Sequence, residues 1–434
     1  MMKPPFLKLK GIELKYIYSA CVITTTPDIR ILHDPWFTEG IYDGSWFHFP
    51  KVTDPFESIG DVDLIYISHI HPDHYDPKFL KRYFDQFGIK EILIANHEPN
   101  YLARKIAGDH LKATILKKKI EIGKTSIEIF PHQTGSDSDI DSVLVLKYKD
   151  ECRTHCLVNA NDVVFDDLFR KKIKESAGEI DLYLGSYTAA GPYPQTYFEE
   201  NDPNLKRESE RITDHCLKIY KEDIDFFKAK KNLPFAGKYL LGSKASHLNF
   251  SLPVTDPISV KLFDNNAVIL KDDGGFINTQ DMVASGIRTN PYHQDAIIQR
   301  IDEVKLNKMD YEKLIDAKEI YQLPLKRLIH MAGIKAIKKS EIAEDYYFCI
   351  SLDEKEWAVI NINNTKTLPK VTFEKNIAKR IPRSEIYLDP RYLFGLLTHI
   401  YHWNNAEVGS NYTTRRYPNK FDRRVQNFLN FFTL

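Results

Sequence analysis

The stretch Val62–Pro77, Val-Asp-Leu-Ile-Tyr-Ile-Ser-His-Ile-His-Pro-Asp-His-Tyr-Asp-Pro, narrows the choice of folds more than any other part of this 434-residue chain. An apolar run of strand length, Leu64–Ile67, stops at Ser68. Four side chains able to bind a metal, His69, His71, Asp73 and His74, then follow within six residues. That order predicts a buried strand delivering ligands at its end. Imidazole and carboxylate suit zinc, iron or manganese, and ligands this dense leave room for two ions with water or hydroxide between them. Pro72 fixes one φ inside the cluster and stiffens the turn. A polar loop that is merely His-rich is the blander reading, and four ligands at fixed offsets behind a strand argue against it.

Composition bounds the rest. A chain this long can bury a large core and suggests two or three domains. Its 60 Lys and Arg balance its 60 Asp and Glu, so the total charge points to neither nucleic acid nor an anionic membrane. No run is long and apolar enough to span a bilayer, and Met1–Lys10 lacks the apolar core of a signal peptide. Five cysteines, Cys21, Cys152, Cys156, Cys216 and Cys349, form no framework, which fits a reducing cytoplasm. Cys152 and Cys156 read as strand residues, because no second pair follows to complete a metal knuckle.

The spacing His-x-His-x-Asp-His behind a strand resembles the metallo-β-lactamase superfamily. The resemblance implies an α/β fold, the αββα sandwich, with a two-metal site at its rim. His69 and His71 are implied on one ion and Asp73 and His74 on the other, with Asp73 also the catalytic group. Asp34-Pro35-Trp36, Gly40 and Gly44-Ser45-Trp46 are similar to a narrower branch, the CMP-N-acetylneuraminate hydroxylases and their bacterial relatives. Asp141-Ser142 opening a strand, and Asn159-Ala160-Asn161-Asp162 where many hydrolases have Gly-Asp, lean the same way. His132 follows the strand Thr125–Phe130 at the place of a third ligand to the first ion; the other reading is a loop histidine bonded to backbone. Asp162, after the strand His155–Val158, stands where a carboxylate gives one oxygen to each ion. The last implied ligand is His247, a few residues before the relatives' histidine. Either a shifted loop brings it in or the second site is incomplete. His97, after the strand Glu91–Ala95, reads as a loop residue.

Helices are expected over Lys78–Phe87, Phe165–Glu175 and Glu208–Lys231, strands over Lys112–Glu121 and Ile180–Leu184, and short strands over Ser259–Asn278. The loop Gly185–Pro194, small residues with a Tyr-Pro pair, lets a substrate approach the backbone and offers Tyr187 and Tyr193 as contacts. Trp36 and Trp46 suit core packing, with stacking on a substrate ring as their second role. Arg415 and Arg416 form either an anion clamp or a solvated basic turn. A change of composition near Asn290 divides the chain into 1–290, a metal-binding domain, and 291–434, an α+β domain that faintly resembles sterol-carrier-like domains. No flexible linker joins them, so the second is expected to lie over the metal rim.

The leading functional expectation is a metal-dependent hydrolase using a metal-bound hydroxide on a small polar anionic substrate, such as a sugar phosphate or nucleotide sugar. Two divalent ions are implied, zinc first, iron or manganese as alternatives. The literal family reading is an iron-dependent oxygenase. Its relatives use a Rieske domain, which needs two Cys-His pairs, and this sequence supplies none, so electrons would come from a separate partner protein. A non-catalytic metal-containing binding protein is the third reading.

Overall fold

The computed structural model describes residues 9–133, 140–365 and 370–434. Most of Met1–Lys10, on which the signal-peptide expectation rests, lies outside these residues, as do Thr134 and Gly135 beyond His132.

Two sheets face each other. Among the described residues the first has eight strands, ordered Ala284–Ser285, Phe276–Asn278, Glu13–Tyr18, Cys21–Thr25, Arg30–His33, Leu64–Tyr66, Glu91–Ala95 and Ala113–Leu116. Its N-terminal half is antiparallel, and pairing turns parallel from Arg30–His33 onward. The second has six, ordered Lys231–Phe235, Leu182–Ser186, Thr154–Asn161, Ile140–Lys149, Thr125–Gln133 and Ile120–Ile122. Alternation puts Leu14, Tyr16, Val22 and Tyr66 of the first sheet against Ile127, Leu144, Leu146 and Leu157 of the second in one buried cluster. The outer faces are apolar too, and helices cover them. Pro77–Phe87 and Tyr101–Gly108 lay Phe79, Tyr83 and Ile106 on Ile65 and Ile92. Asp167–Ala177 and Pro203–Phe227 lay Phe169, Ile173 and Phe227 on Val143 and Val158. Each such fully buried side chain contributes about 1.5–3 kcal/mol. The architecture is the expected αββα sandwich.

Three local expectations differ from the structure. Lys112–Glu121 is two strands in different sheets, because the exposed Lys117-Lys118-Lys119 carries the chain from one sheet to the other. The long helix starts earlier, at Pro203 behind an Asp202 cap, and Lys231 already opens a strand. Ser259–Asn278 contains a 3-10 turn and a single strand, Phe276–Asn278, which pairs with Glu13–Lys15 at the start of the chain.

From Met309 on, a separate core forms. A five-stranded sheet, Val371–Glu374, Trp357–Asn361, Tyr347–Ser351, Arg383–Tyr387 and Thr413–Tyr417, carries the helices Leu325–Ser340 and Pro390–Leu397. Ile329, Phe348, Ile360, Leu396 and Phe428 fill the space between. This unit meets the sandwich beside the loop Gly40–Gly44. The Tyr392 hydroxyl donates to Asp43 Oδ2 at 2.6 Å, and Asn411 Nδ2 to the Tyr42 carbonyl at 2.8 Å. At Gly44, φ is +107° and a Cβ would stand 2.9 Å from Met309 Cα, so no other residue fits without moving the two units apart.

Candidate metal centre

The strand Leu64–Tyr66 is fully buried, and its continuation is turned by Asp34, the residue after Arg30–His33. Asp34 is wholly buried at φ +39°, and its Oδ1 accepts from Ser68 N at 2.8 Å. The chain then closes on itself, with His74 N and Tyr75 N both donating to the His71 carbonyl. Asp76 caps the helix that follows, accepting from Phe79 N at 2.9 Å. Strand end, turn and capped helix together hold the ligand-bearing residues on a short, stiff arc.

Among the described residues, His69, His74 and Asp162 bring ligand atoms within 4.8 Å of one another. His74 Nε2 stands 3.3 Å from both Asp73 Oδ2 and Asp162 Oδ2. His69 Nε2 and His71 Nδ1 face each other at 2.9 Å. The opposite atoms of these rings are held from behind. His69 Nδ1 lies 2.9 Å from Ser68 Oγ and 3.3 Å from Asp141 Oδ1; His74 Nδ1 lies 3.3 Å from Asp34 Oδ2, which also accepts from Asn161 Nδ2 at 2.7 Å. The Tyr42 hydroxyl donates to Asp73 Oδ1 at 2.6 Å, leaving Oδ2 towards His74. His74 Nε2 and Asp162 Oδ1 are buried and have no hydrogen-bond partner among the described residues. Buried lone pairs that converge and lack donors fit a divalent cation, and a His/Asp set suits zinc, iron or manganese.

The charges agree. Burial, aided by His74 and His71, pushes His69 well below the ordinary histidine range, leaving it the neutral imidazole a metal needs. Burial alone would lower His74, but the carboxylates of Asp73 and Asp162 outweigh it and raise it. Burial would raise Asp73, yet His74 beside it holds it below the carboxylate range. Asp141 is raised by burial and then by the charge of Asp162. This is a pocket of crowded carboxylates that needs positive charge inside it.

The structure gathers His69, His71, Asp73, His74 and Asp162, and leaves two expected ligands out. His132 sits at the rim of the cleft, its ring flat against Phe169 at 4.2 Å and its Nε2 3.1 Å from the Val164 carbonyl. His247 is exposed on the 3-10 stretch Ser243–Ser251, with Nδ1 2.9 Å from the Lys244 carbonyl of its own turn. The substrate contacts need correcting as well. Trp36, Trp46 and Tyr187 are each only 1% exposed, in the core reading given to the tryptophans, with Trp46 stacked on Tyr239 at 3.5 Å. Tyr193 donates to Glu208 at 2.8 Å. Arg415 Nε is paired with Glu199 at 2.7 Å, and Arg416 lies over the Tyr197 ring at 4.0 Å. None of these six borders the two cavities beside the metal cluster.

The first cavity is a cleft of about 630 Å³ bordered by His71, Asp73, Asp141, Asp162, Ser186 and Arg423. The second, about 990 Å³, lies between the sandwich and the C-terminal unit. Tyr42 and His71 border both. Tyr42 and Asn404 were not singled out in the sequence as site residues; Asp34 and Asp141 stood out in the hydroxylase-like patterns but not as partners of the ligands. His97, read as a loop residue, has a buried Nε2 without a partner among the described residues, and burial with His132 nearby pushes it down to about 4.

Residues 13–179 match the Beta-lactamase superfamily domain. A protein of Mycolicibacterium smegmatis, described by its name as a Rieske 2Fe-2S iron-sulfur protein, is 31% identical over 179 residues, 38% of this chain and 32% of that protein. The inactive cytidine monophosphate-N-acetylneuraminic acid hydroxylase of Homo sapiens is 33% identical over 81 residues, 18% of this chain and 16% of the hydroxylase. The chain therefore spans about a third or less of the curated relatives it matches. Among solved structures, an isothiocyanate hydrolase from Delia radicum gut bacteria aligns with a TM-score of 0.39 at 16% identity, covering 61% of this chain and 98% of that one.

Proposed function

We propose that this chain, whose residues 13–179 match the Beta-lactamase superfamily domain, is a metal-dependent hydrolase acting on a small polar anionic substrate such as a sugar phosphate or nucleotide sugar. The observation that carries this reading is the meeting of five His and Asp side chains around orphaned ligand atoms beside an open cleft. There His69 and His71 would hold one ion and Asp73 and His74 a second, with Asp162 facing His74 Nε2. Bound zinc, iron or manganese supplies Lewis acidity, polarising a substrate oxygen and acidifying water. The chain's own residues orient and enclose. Asp34 and Asp141 face the rear nitrogens of His74 and His69, so the front nitrogens keep their lone pairs. Tyr42 fixes which oxygen of Asp73 faces the site. The 990 Å³ cavity supports a polar substrate body, since Asn405, Asn427, Asn430, Tyr101 and Tyr401 offer amide and aromatic contacts. Lys78, exposed at its edge, makes no ion pair among the described residues and supports an anionic group in place of the expected arginine pair.

A second reading, an iron-dependent oxygenase fed by a separate electron-transfer protein, is favoured by the likeness to a Rieske-named protein and to a hydroxylase. Metal analysis of protein purified without added metal, with its absorption spectrum and hydrolysis of a panel of sugar phosphates and nucleotide sugars, separates the two. Two zinc or manganese ions per chain with hydrolysis are expected. Iron, a visible chromophore and no hydrolysis overturn the hydrolase in favour of the oxygenase.

A further inference from the structure

His71 is the one proposed ligand whose rear nitrogen is held by the C-terminal unit. Its Nδ1 faces His69 Nε2 at 2.9 Å, while its Nε2 lies 3.2 Å from Asn404 Oδ1, across 333 positions of sequence. A neutral imidazole binds a cation only through its unprotonated nitrogen, and the hydrogen bond made by the other nitrogen decides which one that is. An amide oxygen can only accept, so it keeps the proton on Nε2 and leaves Nδ1 bare. Asp141 Oδ1, which also accepts from Ser142 N, does the same at His69 Nδ1 for that ring with the opposite nitrogen. The two atoms 2.9 Å apart are then two lone pairs, an arrangement that calls for a cation between them.

Resting on the metal-site reading above, we propose that Asn404 is a positioning residue of that site, and that the site is complete only when the C-terminal unit is docked. Asn404 has a firm base. It lies in the helix Trp403–Val408, whose first turn is tied to the C-terminal core by Trp403 Nε1 donating to the Phe432 carbonyl at 2.8 Å. A second, independent thread joins the same two parts. Asn411 donates to the Tyr42 carbonyl and to the Tyr392 hydroxyl, Tyr392 donates to Asp43, and Tyr42 donates to Asp73. Tyr42 and Asp43 stand at φ +52° and +64°, a pair of left-handed residues between Gly40 and Gly44 that the C-terminal contacts hold in place. The sandwich presents the ligands, and the neighbouring unit aims two of them.

The test uses full-length protein and zinc alone. Wild type, Asn404→Leu (similar size, no acceptor) and Asn404→Asp (acceptor kept) are titrated against a chromogenic chelator, with circular dichroism to confirm the fold. Asn404→Leu is expected to weaken zinc binding roughly 10–100-fold, the usual effect of removing the partner of a metal-bound histidine, and Asn404→Asp to retain it. Nitrogen-15 spectra of the metal-free protein should show His71 with its proton on Nε2 in wild type, and that preference lost in Asn404→Leu. Unchanged zinc affinity in a folded Asn404→Leu, or a wild-type His71 protonated on Nδ1, overturns the proposal. Failure of the wild type to bind any divalent metal instead overturns the function proposed above, and the nitrogen spectra still decide the role of Asn404.

Discussion

The arc Ser68–Asp76 and the turn Ser243–Ser251 each offer histidine to the same expected site, and the structure treats them in opposite ways. On the arc, every ring has its rear nitrogen held by a side chain from elsewhere: Asp141 for His69, Asn404 for His71, Asp34 for His74. On the turn, His247 reaches only the carbonyl three residues back and stays in solvent. A histidine becomes a candidate ligand when distant parts of the chain fix its tautomer and its aim, a stricter condition than being a histidine near the right place.

The largest expected effect that would break this contrast is at the front of the site. His69→Ala or Asp162→Asn should abolish metal-dependent turnover and metal occupancy while the melting transition stays near that of the wild type, since both residues lie beyond the ends of strands; full occupancy and activity in either variant would sink the ligand assignment. Next comes the rear of a ring. Asp34→Asn should weaken metal binding roughly 10–100-fold by releasing His74 Nδ1, measurable by competition with a chelator.

A smaller effect tests the loop beside them. Burial, with the charge of Asp310, outweighs the hydrogen bond from Tyr392 and raises Asp43 from 3.8 to about 7. The folded chain thus keeps a proton that the unfolded chain releases from about pH 4 upward, so stability is greatest at low pH and falls as pH rises towards 7. Asp43→Asn removes that cost, and chemical denaturation should show a gain on the order of 2–4 kcal/mol at pH 8 and almost none at pH 4. An equal effect at both pH values would contradict the shift. The smallest expectation is His247→Ala, with metal content unchanged and stability within about 0.5 kcal/mol; loss of metal there would restore His247 to the site.

What was legible in the sequence follows from distance along the chain. His69, His71, Asp73 and His74 share one arc, so a strand followed by dense ligands sufficed to find them, whereas Asp162, directly after the strand Thr154–Asn161, was reached through the resemblance to the metallo-β-lactamase superfamily. The individual strands and helices were legible as local patterns, while their αββα layering was implied by the resemblance to the metallo-β-lactamase superfamily. Tyr42, Asn404 and Asn411 reach the site through tertiary contacts, and nothing in their neighbours announces it. Aromatic and basic residues misled in a particular way. Trp36 and Trp46 carry the same side chain whether they stack on a ligand or on Tyr18 and Tyr239, and only burial distinguishes the two. Arg415 and Arg416 lie next to each other on a strand, so they point to opposite faces, one to Glu199 and the other over Tyr197; no shared anion can lie between them.

The pairing of Glu13–Lys15 with Phe276–Asn278 bears on how the chain is made. During synthesis the strand Glu13–Tyr18 leaves the ribosome early, yet its outer neighbour emerges only when residue 278 does, roughly ten seconds or more later. For that interval a sheet edge rich in Tyr and Ile is open to other nascent chains. Glu13 and Lys15, the latter reaching the Ser58 carbonyl in the finished protein, are the charges on that edge that work against misassembly while it waits.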